Sequence, residues 1–196
     1  MQHSIEAAEP KSSISLGMFG MILILAAIGA FFVALAVAYA FAIQDRPGQA
    51  NVHLSIWFWI STALLLLSSV TLQWARRDLR LARLQPYRNG LWATLWLGVL
   101  FLVTQLLGCR DLAAQGVYVV GNPRGSMYFM FSGVHAAHLL GGLGGLYWLI
   151  RKAKQLTDGE EQPLRRHRAA ARNTAVYWHF MGGLWVGLLA LLVAWQ

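Results

Sequence analysis

His135 and His138 stand three residues apart in an otherwise apolar stretch, and a second such stretch opens with Tyr177-Trp178-His179. Three-residue spacing places the first pair on one face of a helix. Polar side chains in such surroundings are costly to bury, so they are the first candidates for chemistry. Three chemistries are open to them. Neutral imidazoles can hydrogen-bond between helices, each bond worth about 1 kcal/mol, and so fix helix register. His138 and His179 could instead be the axial ligands of a b-type haem, which needs facing rings at matched depth and a flat cavity between them. A copper or zinc site would recruit thiolate or carboxylate partners. Cys109 is the single cysteine, and the acids fall outside the apolar stretches or, as with Asp111, at their ends.

The elements that must position these side chains follow from composition. Of 196 residues, 57% are hydrophobic and 12% charged, whereas a soluble domain carries roughly a quarter charged residues. A lipid-facing exterior accounts for the difference. Stretches at about 16–43, 54–75, 91–112, 126–150 and 174–195 are each long enough to cross a bilayer, given about 20 residues per span. Strand-like alternation and internal repeats are absent. The expectation is an all-α, polytopic membrane bundle of five transmembrane helices in a single membrane domain, 1–196.

Turn signals separate the spans: Asp45-Arg46-Pro47-Gly48, Gln85-Pro86, Asn89-Gly90 and Gly121-Asn122-Pro123. Ala75 to Leu84 reads as a continuation of the second helix into water, with Leu79, Leu81 and Leu84 forming a partial apolar stripe among arginines. Pro163, after Glu160 and Glu161, reads as the start of a helix leading into the fifth span. The first apolar run has no small-residue cleavage site and reads as a retained helix.

Cytoplasmic loops hold the excess of Lys and Arg. Thirteen such residues fall in the N-terminal tail and the loops after the second and fourth spans, against three (Arg46, Arg110 and Arg124) on the other side. The N-terminus therefore faces the cytoplasm and the C-terminus faces outward. At about 1.5 Å rise per residue, His138 lies about 18 Å below the outer surface and His179 about 8 Å above the inner one. The net charge of +8 is explained by this topology and by anionic lipid rather than by nucleic acid.

Small residues crowd the histidines: Gly133, Gly141, Gly142, Gly144 and Gly145 in the fourth span, and Gly182, Gly183 and Gly187 in the fifth. Four-residue glycine spacing permits close helix crossing. Asp and Glu fall only in loops or at span ends, which argues against an ion-coupled carrier, since such proteins place an acid or a broken helix at their binding site.

Gly125-Ser126 followed by Gly133-Val134-His135-Ala136-Ala137-His138 and Gly142, with Tyr177-Trp178-His179-Phe180 and Trp185, resembles subunit III of the haem-copper oxidases. Gly20-Met21, Phe31-Phe32, Ala38-Tyr39, Leu67-Ser68-Ser69 with Thr71, and Gln105 leading to Gly116 agree in order. The five spans look like the short form of that family. The resemblance implies a non-catalytic accessory subunit without haem, copper or other metal of its own, docked on a haem- and copper-bearing subunit I of a proton-translocating oxidase. Bound phospholipid and a multi-pass place in the bacterial inner membrane are further implications. It also implies that His135, His138, His179, Tyr177, Trp178 and Trp185 form a buried polar cluster. An accessory subunit of a nitric oxide reductase, and a small b-type cytochrome using His138 and His179, are the alternatives. Ile28, Gly108 and Gly182 stand where the family commonly has acids, which weakens any carboxylate-dependent role.

Overall fold

The computed structural model describes residues 16–44, 55–115, 123–156 and 161–194. Five helices make it up: α1 (Leu16–Gln44), α2 (Ile56–Arg80), α3 (Leu84–Ala114), α4 (Pro123–Ala153) and α5 (Glu161–Ala194). No strand occurs among the described residues. Helices α1, α2, α3 and α5 are long and apolar enough to cross a membrane.

α4 is as long as α3, at 31 residues, and lies antiparallel to it. Arg88, near the start of α3, donates to the carbonyls of Ala153 and Leu156 at the end of α4. Midway, Gly98 abuts Leu143, and at the far end Gly108 abuts Phe58, which packs edge-on against Tyr128 of α4. Whatever slab α3 crosses, α4 crosses too.

The α2–α3 hairpin shows how sequence builds the bundle. Ser55 caps α2 by accepting from the Trp57 amide. The buried residues of α2 are Phe58, Ser61, Leu65, Ser68, Leu72, Ala75 and Leu79, a strict alternation of three- and four-residue steps. In α3 the same alternation runs through Tyr87, Leu91, Thr94, Gly98, Phe101, Gln105, Gly108 and Leu112. That period is the signature of two helices wound left-handedly about each other. Small side chains keep the seam tight: a Cβ at Gly90 would stand 2.7 Å from that of Ala75.

The hairpin turn differs from the expected extension of α2 through Leu84. α2 stops at Arg80 in a Schellman motif: the Arg83 amide donates to the Asp78 carbonyl at 2.9 Å and the Ala82 amide to that of Leu79 at 3.3 Å. Ala82 takes the left-handed conformation (φ 57°) that glycine usually fills. Leu79 is buried as expected, but Leu81 is exposed in the turn. Gln85-Pro86 and Asn89-Gly90 lie inside α3 rather than ahead of it. Pro86 sits in the first helical turn, where its missing N–H breaks no hydrogen bond, and Gly90 is needed for the approach to α2. The turn signals at 45–48 and 121–122 lie outside the described residues.

α5 begins at Glu161, with Pro163 in its first turn. It runs antiparallel to α2, with Trp185 beside Thr62, Trp178 beside Ser68 and Arg168 beside the end of α2. α1 is peripheral: only 11% of its most apolar window is buried, against α4 through Phe32 and Tyr39 and against α5 through Gly29. The described basic residues of the α2–α3 turn, the end of α4 and the start of α5 all gather at one end of the bundle. By the positive-inside rule, that is the end expected to face the cytoplasm.

Candidate functional site

α2 supplies a row of hydroxyls to the bundle interior, and each meets a partner from another helix. Ser61 Oγ donates to Gln105 Oε1 at 2.9 Å, and Thr71 and Thr94 share a hydrogen bond of 2.9 Å, both tying α2 to α3. From α5, Trp178 Nε1 donates to Ser68 Oγ at 2.9 Å and Trp185 Nε1 to Thr62 Oγ1 at 3.0 Å. Thr62, Ser68 and Thr71 donate to carbonyls of their own helix, and the single Ser61 proton is shared between Gln105 Oε1 and the Phe58 carbonyl, both at 2.9 Å. Lipid offers indole N–H groups no acceptor, so the two tryptophans fix the register of α5 on α2.

Trp178, Trp185 and His135 are fully buried. The His135 imidazole lies in a box of rings: Trp185 at 5.2 Å between centroids, Phe101 at 5.9 Å and Phe32 at 6.4 Å. Neither of its nitrogens has a hydrogen-bond partner among the described residues, nor does Gln105 Nε2, one turn along α3 from Phe101. Ring packing, rather than hydrogen bonding, holds this histidine.

His138 and His179 face different neighbours. His138 Nδ1 donates to the Val134 carbonyl at 2.8 Å, and its ring packs 5.8 Å from Phe32 of α1. Tyr177 donates to the His138 carbonyl at 2.7 Å, which turns the Tyr177 side of α5 toward α4. His179, two residues on, points elsewhere and meets Gln73 Oε1 of α2 at 3.4 Å. Thus His135, Trp178 and Trp185 share the interior, Tyr177 joins it from the rim, and His138 and His179 are not brought together.

The glycines separate into two sets. A Cβ at Gly108 would come within 2.6 Å of the Phe58 ring, at Gly98 within 2.8 Å of Trp178, and at Gly142 within 2.9 Å of Tyr177. By contrast Gly133, Gly144, Gly145, Gly183 and Gly187 have open space where a side chain would be, and Gly141 meets only the Tyr177 hydroxyl at 3.8 Å. Packing within the chain therefore rests on Gly90, Gly98, Gly108 and Gly142. At the positions where acids were expected, Ile28 is buried, Gly108 lies under Phe58, and Gly182 faces Ser69 and Leu65.

Sequence reasoning picked out Ser68, Thr71 and Gln105 only as points of resemblance and gave them no role, and it missed Ser61, Thr62 and the Tyr87–His167 bond of 2.7 Å between α3 and α5. The spacing of Ser61 and Ser68, one heptad apart inside an apolar run, was the available signal.

These features define an all-helical polytopic membrane protein whose core is an aromatic and hydroxyl seam. Residues 10–196 match the family described as cytochrome c oxidase subunit III, and the chain belongs to that family. It is 31% identical over 130 residues to cytochrome c oxidase subunit 3 of Corynebacterium diphtheriae, covering 66% of this chain and 60% of that protein. Over 147 residues it is 26% identical to a probable cytochrome c oxidase subunit 3 of Nocardia farcinica, covering 75% and 68%. Over 139 residues it is 28% identical to the Drosophila yakuba subunit 3, covering 69% and 49%. The matched stretch spans about half to two thirds of the length of these relatives.

Proposed function

We propose that this chain is a non-catalytic accessory subunit of a respiratory haem-copper oxidase in a bacterial inner membrane. In this reading it binds no haem or copper itself and packs against the catalytic subunit I, supporting that subunit's stability and sustained turnover. The observation that carries the reading is the outward face of α4. Gly133, Ala137, Gly141 and Gly145, at four-residue spacing, are all exposed, and none of the described residues occupies the space beside Gly133 or Gly145. Helices in lipid associate by close packing of small residues, so such a face suits a partner helix. The separate engagements of His138 and His179 support a cofactor-free subunit. An acyl chain of a bound phospholipid suits the apolar groove of about 460 Å³ between α1 and α5, lined by Gly29, Phe32, Ala36, Gly183 and Leu184.

The test is purification of the tagged chain from its native membranes in mild detergent. A haem-bearing chain should elute with it, and the separated chain should be colourless. A Soret band in the separated chain that disappears in His138→Ala or His179→Ala would contradict the proposal.

A further inference from the structure

At the cytoplasmic end of the bundle, α2 and α5 enclose a pocket of about 380 Å³ whose lining includes Arg76, Arg80, Arg165, Arg168 and Arg172. The five come from only two helix faces. Arg76 and Arg80 are four residues apart on α2, and Arg165, Arg168 and Arg172 are three and four apart on α5, so each set points to one side of its helix. Leu79, Ala169 and Ala171 complete the lining. Topology asks only that basic residues lie on the cytoplasmic side. It does not ask that five guanidiniums share one concavity.

Two of them are held in place. Arg168 Nη2 donates to the carbonyls of Leu79 and Arg80, at 3.3 Å each, in the last turn of α2, where the Leu79 carbonyl also accepts from the Ala82 amide. Its Nε is buried and meets no acceptor among the described residues. Arg76 Nη1 donates to Gln73 Oε1 at 3.3 Å. Among the described residues, no carboxylate forms an ion pair with Arg76, Arg80, Arg168 or Arg172. Asp78, on the same helix, lies two residues from both Arg76 and Arg80 and so projects from another face. Four of the five guanidiniums therefore form a concentration of positive charge that no described carboxylate pairs with.

We propose that this pocket binds a phosphate group: guanidinium forks match phosphate oxygens in charge and in paired hydrogen-bond geometry. Its place at the cytoplasmic end, beside the apolar flanks of α2 and α5, admits two sources, the headgroup of an anionic phospholipid or a soluble phosphate. The site is separate from the α1–α5 groove and does not rest on the docking reading.

The experiment uses the full chain in detergent, with tryptophan-detected thermal melting as the binding readout. Three probes are titrated: phosphatidylglycerol, phosphatidylcholine as the uncharged-headgroup comparison, and inorganic phosphate. Two double variants of equal charge loss are compared, Arg76→Gln/Arg172→Gln inside the pocket and Arg77→Gln/Arg83→Gln outside it. Single Arg172→Gln, at an exposed position, serves if the first double variant does not fold. Stabilisation by phosphatidylglycerol but not phosphatidylcholine, weakened about tenfold by the pocket variant and under about twofold by the control, is the expected result. If inorganic phosphate stabilises with the same variant dependence, or displaces the lipid effect, the source is soluble phosphate. Its inactivity beside an active lipid assigns the headgroup. Equal weakening by both double variants, or no stabilisation by either phosphate-bearing probe, overturns the proposal.

Discussion

The glycines of α3 and those of the outward α4 face are the same residue type in similar apolar surroundings, yet they do opposite things. Gly98 and Gly108 are filled from outside by Trp178, Leu143 and Phe58, whose atoms come closer than any Cβ could tolerate. Gly133, Gly144 and Gly145 face open space. The first set lets the chain close on itself. The second does nothing for the isolated fold, which is why it points to a surface made for something else. Small-residue spacing by itself does not distinguish the two; the neighbours do.

Substitutions can break this contrast. The largest effect on the isolated chain is expected from Gly98→Ala and Gly108→Ala, which should each cost about 2–3 kcal/mol because an overpacked interior forces backbone shifts. Unfolding of the purified chain in mixed micelles measures it, and a cost below that of Gly144→Ala would erase the distinction. Gly144→Ala itself should stay within about 0.5 kcal/mol.

Ser68→Ala should come next, at about 1 kcal/mol, since the Trp178 N–H loses its acceptor in a setting without water. Trp178 fluorescence should shift with it, and an unshifted spectrum with unchanged stability would show that the indole finds another acceptor. The smallest effect is a gain. Ala82→Gly should stabilise the α2–α3 turn by about 0.5 kcal/mol, because glycine adopts φ 57° without the Cβ penalty but has more freedom to lose on folding. A loss of stability there would mean that the Ala82 methyl contributes more than its strain costs.

Much of the architecture could be read from the chain, for a simple reason: a bilayer imposes a length and a charge bias, and both are written plainly in the spans and the arginines. What faces inward was harder to read. In a soluble helix the polar side marks the outside, but here Leu66, Leu106 and Leu140 are exposed while Ser61, Ser68, Thr94 and Gln105 are buried. The interior of α2 and α3 is marked by small and hydroxyl-bearing residues at heptad spacing, a signal hidden when only apolarity is scored. The histidines misdirected attention in the same way. His138 and His179 sit at similar depth, but depth says nothing of azimuth, and the Tyr177 bond to α4 turns His179 toward α2. The end of α2 was missed because its Schellman turn uses Ala82 where glycine would have announced it.

The most direct test of the account combines Gly141→Leu with Gly145→Leu on the open face of α4. Retention of the haem-bearing partner during detergent purification is measured beside the melting temperature of the separated chain. The account predicts a melting temperature close to that of the unsubstituted chain together with loss of the partner. Full retention of the partner, or collapse of the separated chain, would contradict it.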